Sequence, residues 1–273
     1  MFIFYVQGGG LGHLTRVDRL IKTLKLPEKE IVIMTPSVFT CYFPNYKFIL
    51  LEWTSSANDW SQHIESLILT TKVTQFYVDT FPLGLKGELC AVFRKFPKLK
   101  YVYISRILKW EAYLKAHISE VNIQFDATIL LEPLYESHLT WINNQSKLTK
   151  KIALQLDHRA SVKYSEEPYV LVVHSGGTAD VVKLIERAVQ DYKNEEHIII
   201  VVFTQVELSV DNANVVVHKS KFPVSQYYEH ALKIYTAGGF NSVFELNEFR
   251  EKHIIMAFDK LYDDQEFRIK NLD

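Results

Sequence analysis

Three times in this chain a short apolar run ends in a glycine-rich turn that leads directly into a helix-like stretch. The first run, Phe2–Val6, meets Gln7-Gly8-Gly9-Gly10-Leu11-Gly12-His13. The second, Tyr169–His174, meets Ser175-Gly176-Gly177-Thr178. The third, residues 233–236, meets Ala237-Gly238-Gly239. Such runs are rich in β-branched and aromatic residues and are continuous rather than alternating. That pattern predicts strands covered on both faces, as in a parallel sheet wound with helices.

The same alternation extends along the chain. Strands are expected at Phe2–Val6, 30–35, 48–52, Gln75–Asp79, Tyr101–Ser105 and 127–132. Helices are expected at 14–25, Ala57–Thr70, 86–96 and 109–119. The pattern then restarts. Strands at Tyr169–His174, 197–203, 215–218, 233–236 and 253–258 alternate with helices at 179–192, 227–232, 242–250 and from Asp264. Residues 157–168 are polar and end in Ser165-Glu166-Glu167-Pro168, a linker composition. The expectation is an α/β protein of two doubly wound, Rossmann-like domains, 1–160 and 161–273. The chain's 273 residues suffice for two such cores.

Bulk properties exclude several functions. A net charge of −1 does not favour nucleic acid as a partner. Two cysteines, Cys41 and Cys90, are too few for a disulfide framework or a zinc site. The apolar start lacks the basic region of a signal peptide, and the strongest apolar run, 198–203, is far short of a membrane span. A cytoplasmic setting is expected. Peripheral membrane contact stays open through Lys147, Lys150 and Lys151 alone, and oligomeric state is not legible.

Glycine turns between strand and helix hold phosphate, because amide N–H groups and the helix N-terminus face an anion. Two common versions fail here. A G-x-G-x-x-G fingerprint starting at Gly8 or Gly10 would need glycine where His13 or Thr15 stands. A ribose-binding acid is missing from the end of the second strand, and no G-K-[ST] follows the glycines. The third turn says more. Gly238-Gly239 would let amides approach a diphosphate, with Asn241 or Ser242 as helix cap. Glu245, four residues beyond Asn241, would then face sugar hydroxyls. Gln265 follows the next strand.

Taken in order, these stretches resemble the GT-B glycosyltransferases, and most nearly the family 28 type that includes the N-acetylglucosaminyltransferase of peptidoglycan synthesis. Nearer still is a group of predicted bacterial and archaeal glycosyltransferases with a G-x-G-H-x-x-R first loop. Here that loop is Gly10-Leu11-Gly12-His13-Leu14-Thr15-Arg16. Asp79-Thr80-Phe81-Pro82-Leu83-Gly84 with Glu88-Leu89 is a second likeness. Gly238 to Glu245, followed by Asp264-Gln265-Glu266 and Arg268, is a third. The chain departs from the family at 247–253, where a small-residue and glycine-proline step is usual, and at 256–259, where the strand commonly ends in proline.

The resemblance implies two facing domains with a cleft between them, the first for the acceptor and the second for a nucleotide-sugar donor. It implies that Gly9, Gly10 and Gly12 approach donor phosphate or acceptor, and that Ser175, Gly176 and Gly177 line the nucleotide. Gly238, Gly239, Asn241 and Ser242 would hold the diphosphate, Glu245 the ribose and Gln265 the donor sugar. His13 matches a loop histidine that acts as base or phosphate contact, and Asp79 would orient it or serve as base itself. The expected reaction is transfer from a UDP-sugar to a hydroxyl on a carbohydrate, lipid-linked or small-molecule acceptor, with inversion. No cofactor or metal is expected, since the chain has no D-x-D triplet.

Alternatives are a nucleotide-sugar 2-epimerase on the same fold and a non-catalytic nucleotide-sugar-binding protein. Arg16 and Arg106 could contact an anionic acceptor or phosphate, with surface salt bridging as the default for each. His174, beside the second turn, reads as a packed strand-end residue. His63, His117, His138, His158, His197, His218, His230 and His253 show no metal spacing.

Overall fold

The computed structural model describes residues 1–116, 123–157 and 159–272. His117, His158 and the end of the helix expected at 109–119 lie outside the described residues. The chain divides into two compact units, Met1–Gln155 and Leu156–Asp273. Among the described residues, the first unit holds a seven-stranded sheet ordered β3-β2-β1-β4-β5-β6-β7. The strands are β1 (Phe2–Val6), β2 (Ile31–Thr35), β3 (Lys47–Leu50), β4 (Gln75–Asp79), β5 (Tyr101–Ser105), β6 (Ala127–Leu130) and β7 (Thr149–Lys151). Helices α1 (Leu11–Thr23), α2 (Ala57–Thr70), α3 (Leu89–Lys95), α4 (Trp110–Ala116) and α5 (Glu136–Gln145) lie between them.

The second unit holds a five-stranded sheet ordered β10-β9-β8-β11-β12. Its strands are β8 (Tyr169–His174), β9 (Ile199–Thr204), β10 (Val215–Lys219), β11 (Ile234–Ala237) and β12 (His253–Met256). Its helices are α6 (Thr178–Asp191), α7 (Phe240–Glu245) and α8 (Gln265–Lys270). All the described strand pairs are parallel. Both units are therefore doubly wound, Rossmann-like α/β structures.

Continuous apolar runs give each sheet two covered faces. In β8, Val170 and Val172 pack with Val181, Leu184 and Ile185 of α6 on one side. Tyr169 and Leu171 alternate onto the other side, against Tyr228, Ala231 and Leu246. The alternation follows from the two-residue period of a strand.

Some expectations need correction. Residues 227–232 are not an α-helix: a 3-10 turn, Ser225–Tyr227, is followed by further turns. The segment follows Pro223 and is too short to repay helix nucleation, and it serves to seat Tyr228 and Ala231 in the core. The helix expected at 242–250 starts earlier and ends at Glu245, with a 3-10 stretch, Asn247–Lys252, behind it. Leu246 and Phe249 both pack on the β8 face, and their spacing of three suits the tighter helix. α5 and β7 were not anticipated. β7 is an edge strand whose exposed Lys150 and Lys151 discourage further pairing. Lys147 pairs with Asp126 at 2.8 Å. Among the described residues no helix is long and apolar enough to cross a membrane.

One buried knot holds the segment after β4. The Glu88 carboxylate, 2% exposed as a residue, accepts from Tyr5 Oη at 2.5 Å, Leu85 N at 3.1 Å and Lys86 N at 2.7 Å. Burial raises its pKa, and these hydrogen bonds only partly oppose that. Gly84, at φ +87°, is required because a side chain there would run into this carboxylate. Glu88→Ala strands three donors, and the expected loss of unfolding free energy is about 2–4 kcal/mol. Urea denaturation checks this, with Glu88→Gln, which keeps an acceptor oxygen, losing less.

Candidate functional site

In an open parallel sheet, ligands bind beyond the carboxyl ends of the strands where the strand order reverses. In the first unit that point lies between β1 and β4, which pair with Val6 opposite Asp79. The glycine loop after β1 and the Asp79-Thr80 end of β4 are thus neighbours by topology. α1 starts at Leu11 with Gly10 as its N-cap, so His13 and Arg16 are three residues apart on one helix face.

The result is a tight polar cluster. His13 Nδ1 lies 2.7 Å from Asp79 Oδ2. Arg16 donates from Nε to Asp79 Oδ1 at 3.0 Å, and from one terminal nitrogen to Oδ1 at 2.8 Å and Oδ2 at 2.6 Å. The same nitrogen reaches Thr80 Oγ1 at 2.7 Å and lies 3.0 Å from His13 Nδ1. Arg106 donates from Nε to Thr80 Oγ1 at 3.2 Å. Thr80 sits at φ +66°, a left-handed conformation costly for a β-branched residue. Its carbonyl is held by Tyr103 Oη at 2.8 Å. Arg16 and Arg106 are therefore not surface residues: they are 3% and 6% exposed. Breaking a buried pair such as Arg16–Asp79 typically costs about 3–5 kcal/mol.

The electrostatics follow. Burial pushes the Asp79 carboxyl up, but the Arg16 guanidinium and the hydrogen bonds from His13 and Arg16 outweigh it and hold the group well below its usual range. Asp79 is thus an ionised acceptor with both oxygens engaged, which disfavours it as a proton-accepting base. Burial, then the nearby Arg16 charge, lowers His13 from 6.5 to about 4, against the opposing pull of Asp79. His13 is neutral at pH 7. A carboxylate can only accept, so Nδ1 carries the ring proton and Nε2 keeps its lone pair. Among the described residues nothing hydrogen-bonds Nε2, and the side chain is 17% exposed.

The loop glycines have distinct tasks. Gly8 sits at φ +135°, and a Cβ on it would overlap the His13 ring, so its absent side chain is what seats the imidazole. A Cβ on Gly9 would stand 3.2 Å from the Trp53 ring. Around Gly10 there is open space among the described residues, and no side chain caps α1. Gly12 lies in the first turn of α1.

In the second unit the order reverses between β8 and β11, and the other two glycine turns leave those strands. Gly177 and Gly239 are the N-caps of α6 and α7, each with open space at its Cβ position and no side-chain cap among the described residues. The cap of α7 is therefore neither Asn241 nor Ser242, which lie within its first turn. Neither Gly177 nor Gly239 has the positive φ or crowding that would demand glycine.

Gly238 differs. Its N–H is donated to Met256 O at 2.9 Å, and Ile269 of α8 packs where its Cβ would be. Ser175 is half-buried. Gly176 lies under the His174 ring, and His174 Nε2 is 3.4 Å from Asp180, which also pairs with Lys260. Burial lowers the His174 pKa. Glu245 accepts from Tyr228 Oη at 3.2 Å. Gln265, 5% exposed, turns inward and accepts from Phe258 N at 3.0 Å.

Sequence reasoning brought His13 and Asp79 together but missed Arg16, Thr80 and Arg106 as parts of one network. The H-x-x-R spacing on α1 was the available signal for Arg16. The strained Thr80 backbone and Trp53 left none. Among the described residues no group of three His, Cys, Asp or Glu side chains converges to hold a metal.

No family model and no curated protein sequence matches the chain. Solved structures do. A glycotransferase of kitacinnamycin matches at 15% identity and TM-score 0.66, over 99% of this chain and 83% of that one. The spinosyn forosaminyltransferase SpnP matches at 12% and 0.65, over 99% and 82%. The S. aureus MnaA–UDP co-structure matches at 11% and 0.63, over 95% and 79%. The chain thus has the fold seen in GT-B glycosyltransferases.

Arg16→Gln removes the cation that depresses His13. In an NMR titration of the ring protons, His13 should move from a midpoint of about 4 toward 6.5. An unchanged midpoint would mean that burial and Arg106 set it without Arg16.

Proposed function

We propose that the chain is a glycosyltransferase moving a sugar from a nucleoside-diphosphate donor, first of all a UDP-sugar, to a hydroxyl acceptor. The observation that carries this reading is the open Nε2 of a neutral His13 whose other nitrogen is fixed by an ionised Asp79 at the switch point of the first unit. Fold alone does not give function. The fold together with this site does support the reading.

Nε2 takes the acceptor hydroxyl proton, and the acceptor oxygen attacks the sugar C1. The C1–O bond to the diphosphate breaks with inversion, and UDP leaves with the electron pair. The resulting imidazolium is stabilised by Asp79, then loses its proton to solvent. Asp79 acts through His13, as the group that sets its tautomer.

In this reading the first unit takes the acceptor, beside Gly9, Gly10 and Gly12, and the second takes the donor. Amides near Gly177, Gly239, Asn241 and Ser242 meet the growing diphosphate charge without a metal or other cofactor. Ser175 and Gly176 line the nucleotide. Gly238 contributes by letting α8 pack close. Glu245 receives the ribose. Gln265 shapes the donor-sugar pocket from behind, because its own carbonyl is already engaged. The G-x-G-H-x-x-R loop supports the likeness to the family 28 type. Two free thiols, Cys41 and Cys90, suit a reducing cytoplasm.

Calorimetric titration with a panel of nucleoside diphosphates tests the donor side, and UDP is expected to bind. His13→Ala should lower turnover at least about a hundredfold, the scale of general-base catalysis, with UDP affinity unchanged. Unchanged turnover removes His13 from the role, and failure of every diphosphate to bind removes the reading. Release of ManNAc and UDP from UDP-GlcNAc alone would instead identify an epimerase.

A further inference from the structure

The Thr80 side chain joins every charged group around His13. Its Oγ1 accepts from an Arg16 terminal nitrogen at 2.7 Å and from Arg106 Nε at 3.2 Å, and it donates to Asp79 Oδ2 at 3.2 Å. It does so from a left-handed backbone, φ +66°, which a β-branched residue avoids unless its surroundings impose it. Two backbone contacts impose it. Thr80 N donates to Ile104 O at 2.9 Å, extending the pairing of β4 with β5 by one residue. Thr80 O accepts from a side chain, Tyr103 Oη, at 2.8 Å.

That hydroxyl is itself fixed. Tyr103 is wholly buried on β5, its ring 5.4 Å from Phe125 and 6.4 Å from Trp141. Its Oη lies 3.2 Å from Nε2 of His138 on α5. His138 is wholly buried too and stacks on Trp110, with ring centres 4.0 Å apart and planes 9° apart. Burial lowers its pKa from 6.5 to about 3, so at pH 7 the ring is neutral and carries one proton. A phenol has one proton to give. Given to His138, it would leave two oxygens facing each other at 2.8 Å with no hydrogen between them. Given to Thr80 O, it leaves Oη to accept, and His138 donates from Nε2. The second arrangement satisfies both contacts. His138 Nδ1, buried without a hydrogen-bond partner, is then the bare lone pair.

We propose that Tyr103, its hydroxyl oriented by His138, is a positioning residue for His13: it pins Thr80 in the left-handed conformation that keeps Arg16 and Arg106 beside Asp79. The path runs from α5 through β5 to the carboxyl end of β4 and reaches His13 through Asp79. It rests on the transferase reading only in calling His13 a base.

The test compares Tyr103→Phe, which keeps the buried ring, with Tyr101→Phe. The latter removes a hydroxyl that donates to Phe96 O at 3.0 Å from the start of the same strand. In an NMR titration of the full chain, the His13 midpoint should rise by at least about 0.5 pH units in Tyr103→Phe, because the Arg106 charge loses its fixed place near the ring. Tyr101→Phe should leave it within about 0.2 units. Loss of packing alone would destabilise both variants and move neither midpoint. Thr80→Gly keeps access to the left-handed backbone but removes the hydroxyl. In that background Tyr103→Phe should add nothing further to the His13 midpoint. Nitrogen-15 NMR of the unsubstituted chain should show a pyrrole-type Nε2 and a pyridine-type Nδ1 at His138. An unmoved or lowered His13 midpoint in Tyr103→Phe, an additive shift in the double variant, or the opposite His138 tautomer overturns the proposal. A UDP titration separates the two readings. A raised His13 midpoint in Tyr103→Phe, without any nucleoside diphosphate binding to the unsubstituted chain, retires the transferase and keeps the positioning role. UDP binding with an unmoved His13 midpoint in Tyr103→Phe does the reverse.

Discussion

The ion pair between Arg16 and Asp79 is the contact on which the first unit's site depends. It ties α1 to the end of β4 across the point where strand order reverses, and Asp79 is wholly buried in doing so. A lone buried carboxylate would take up a proton to escape its desolvation cost. The guanidinium prevents that. An ionised Asp79 then dictates which nitrogen of His13 carries hydrogen. Thr80 completes the arrangement by joining Arg16 to Arg106, at the cost of a left-handed backbone. Two arginines beside one carboxylate leave a local excess of positive charge, which opposes protonation of His13. A neutral imidazole with an open Nε2 is the outcome.

The two units share one topology. In each, glycine turns leave the strands that flank the switch point. In the first, Gly8 and Gly9 make room for rings of the chain itself, His13 and Trp53. In the second, Gly177 and Gly239 make room for nothing within the described chain and cap helices without a side chain. Both kinds occur in both units: Gly10 also caps its helix onto open space, and Gly176 and Gly238 also make room for His174 and Ile269.

Much of the fold was legible because strands buried on both faces write themselves as uninterrupted β-branched and aromatic runs. Phe2–Val6, Gln75–Asp79, Tyr101–Ser105 and Tyr169–His174 have the bounds expected from sequence. Short elements were not legible. The apolar spacing at Tyr228, Ala231, Leu246 and Phe249 is set by tertiary packing, so turns and 3-10 segments stand where helices were expected. Of the site, the pairing of His13 with Asp79 was visible through motif order. The burial of Arg16 and Arg106 was not, since one sequence does not reveal which charges share a desolvated carboxylate. Gln265 shows the converse. Its motif position suggested a sugar contact, while its carbonyl is spent on Phe258 N.

Asp79 and Arg16 hold His13 neutral with its proton on Nδ1. Nitrogen-15 NMR of the His13 side chain at pH 7 should therefore show a protonated, pyrrole-type Nδ1 and an unprotonated, pyridine-type Nε2. An imidazolium, or the opposite tautomer with the proton on Nε2, would overturn this assignment.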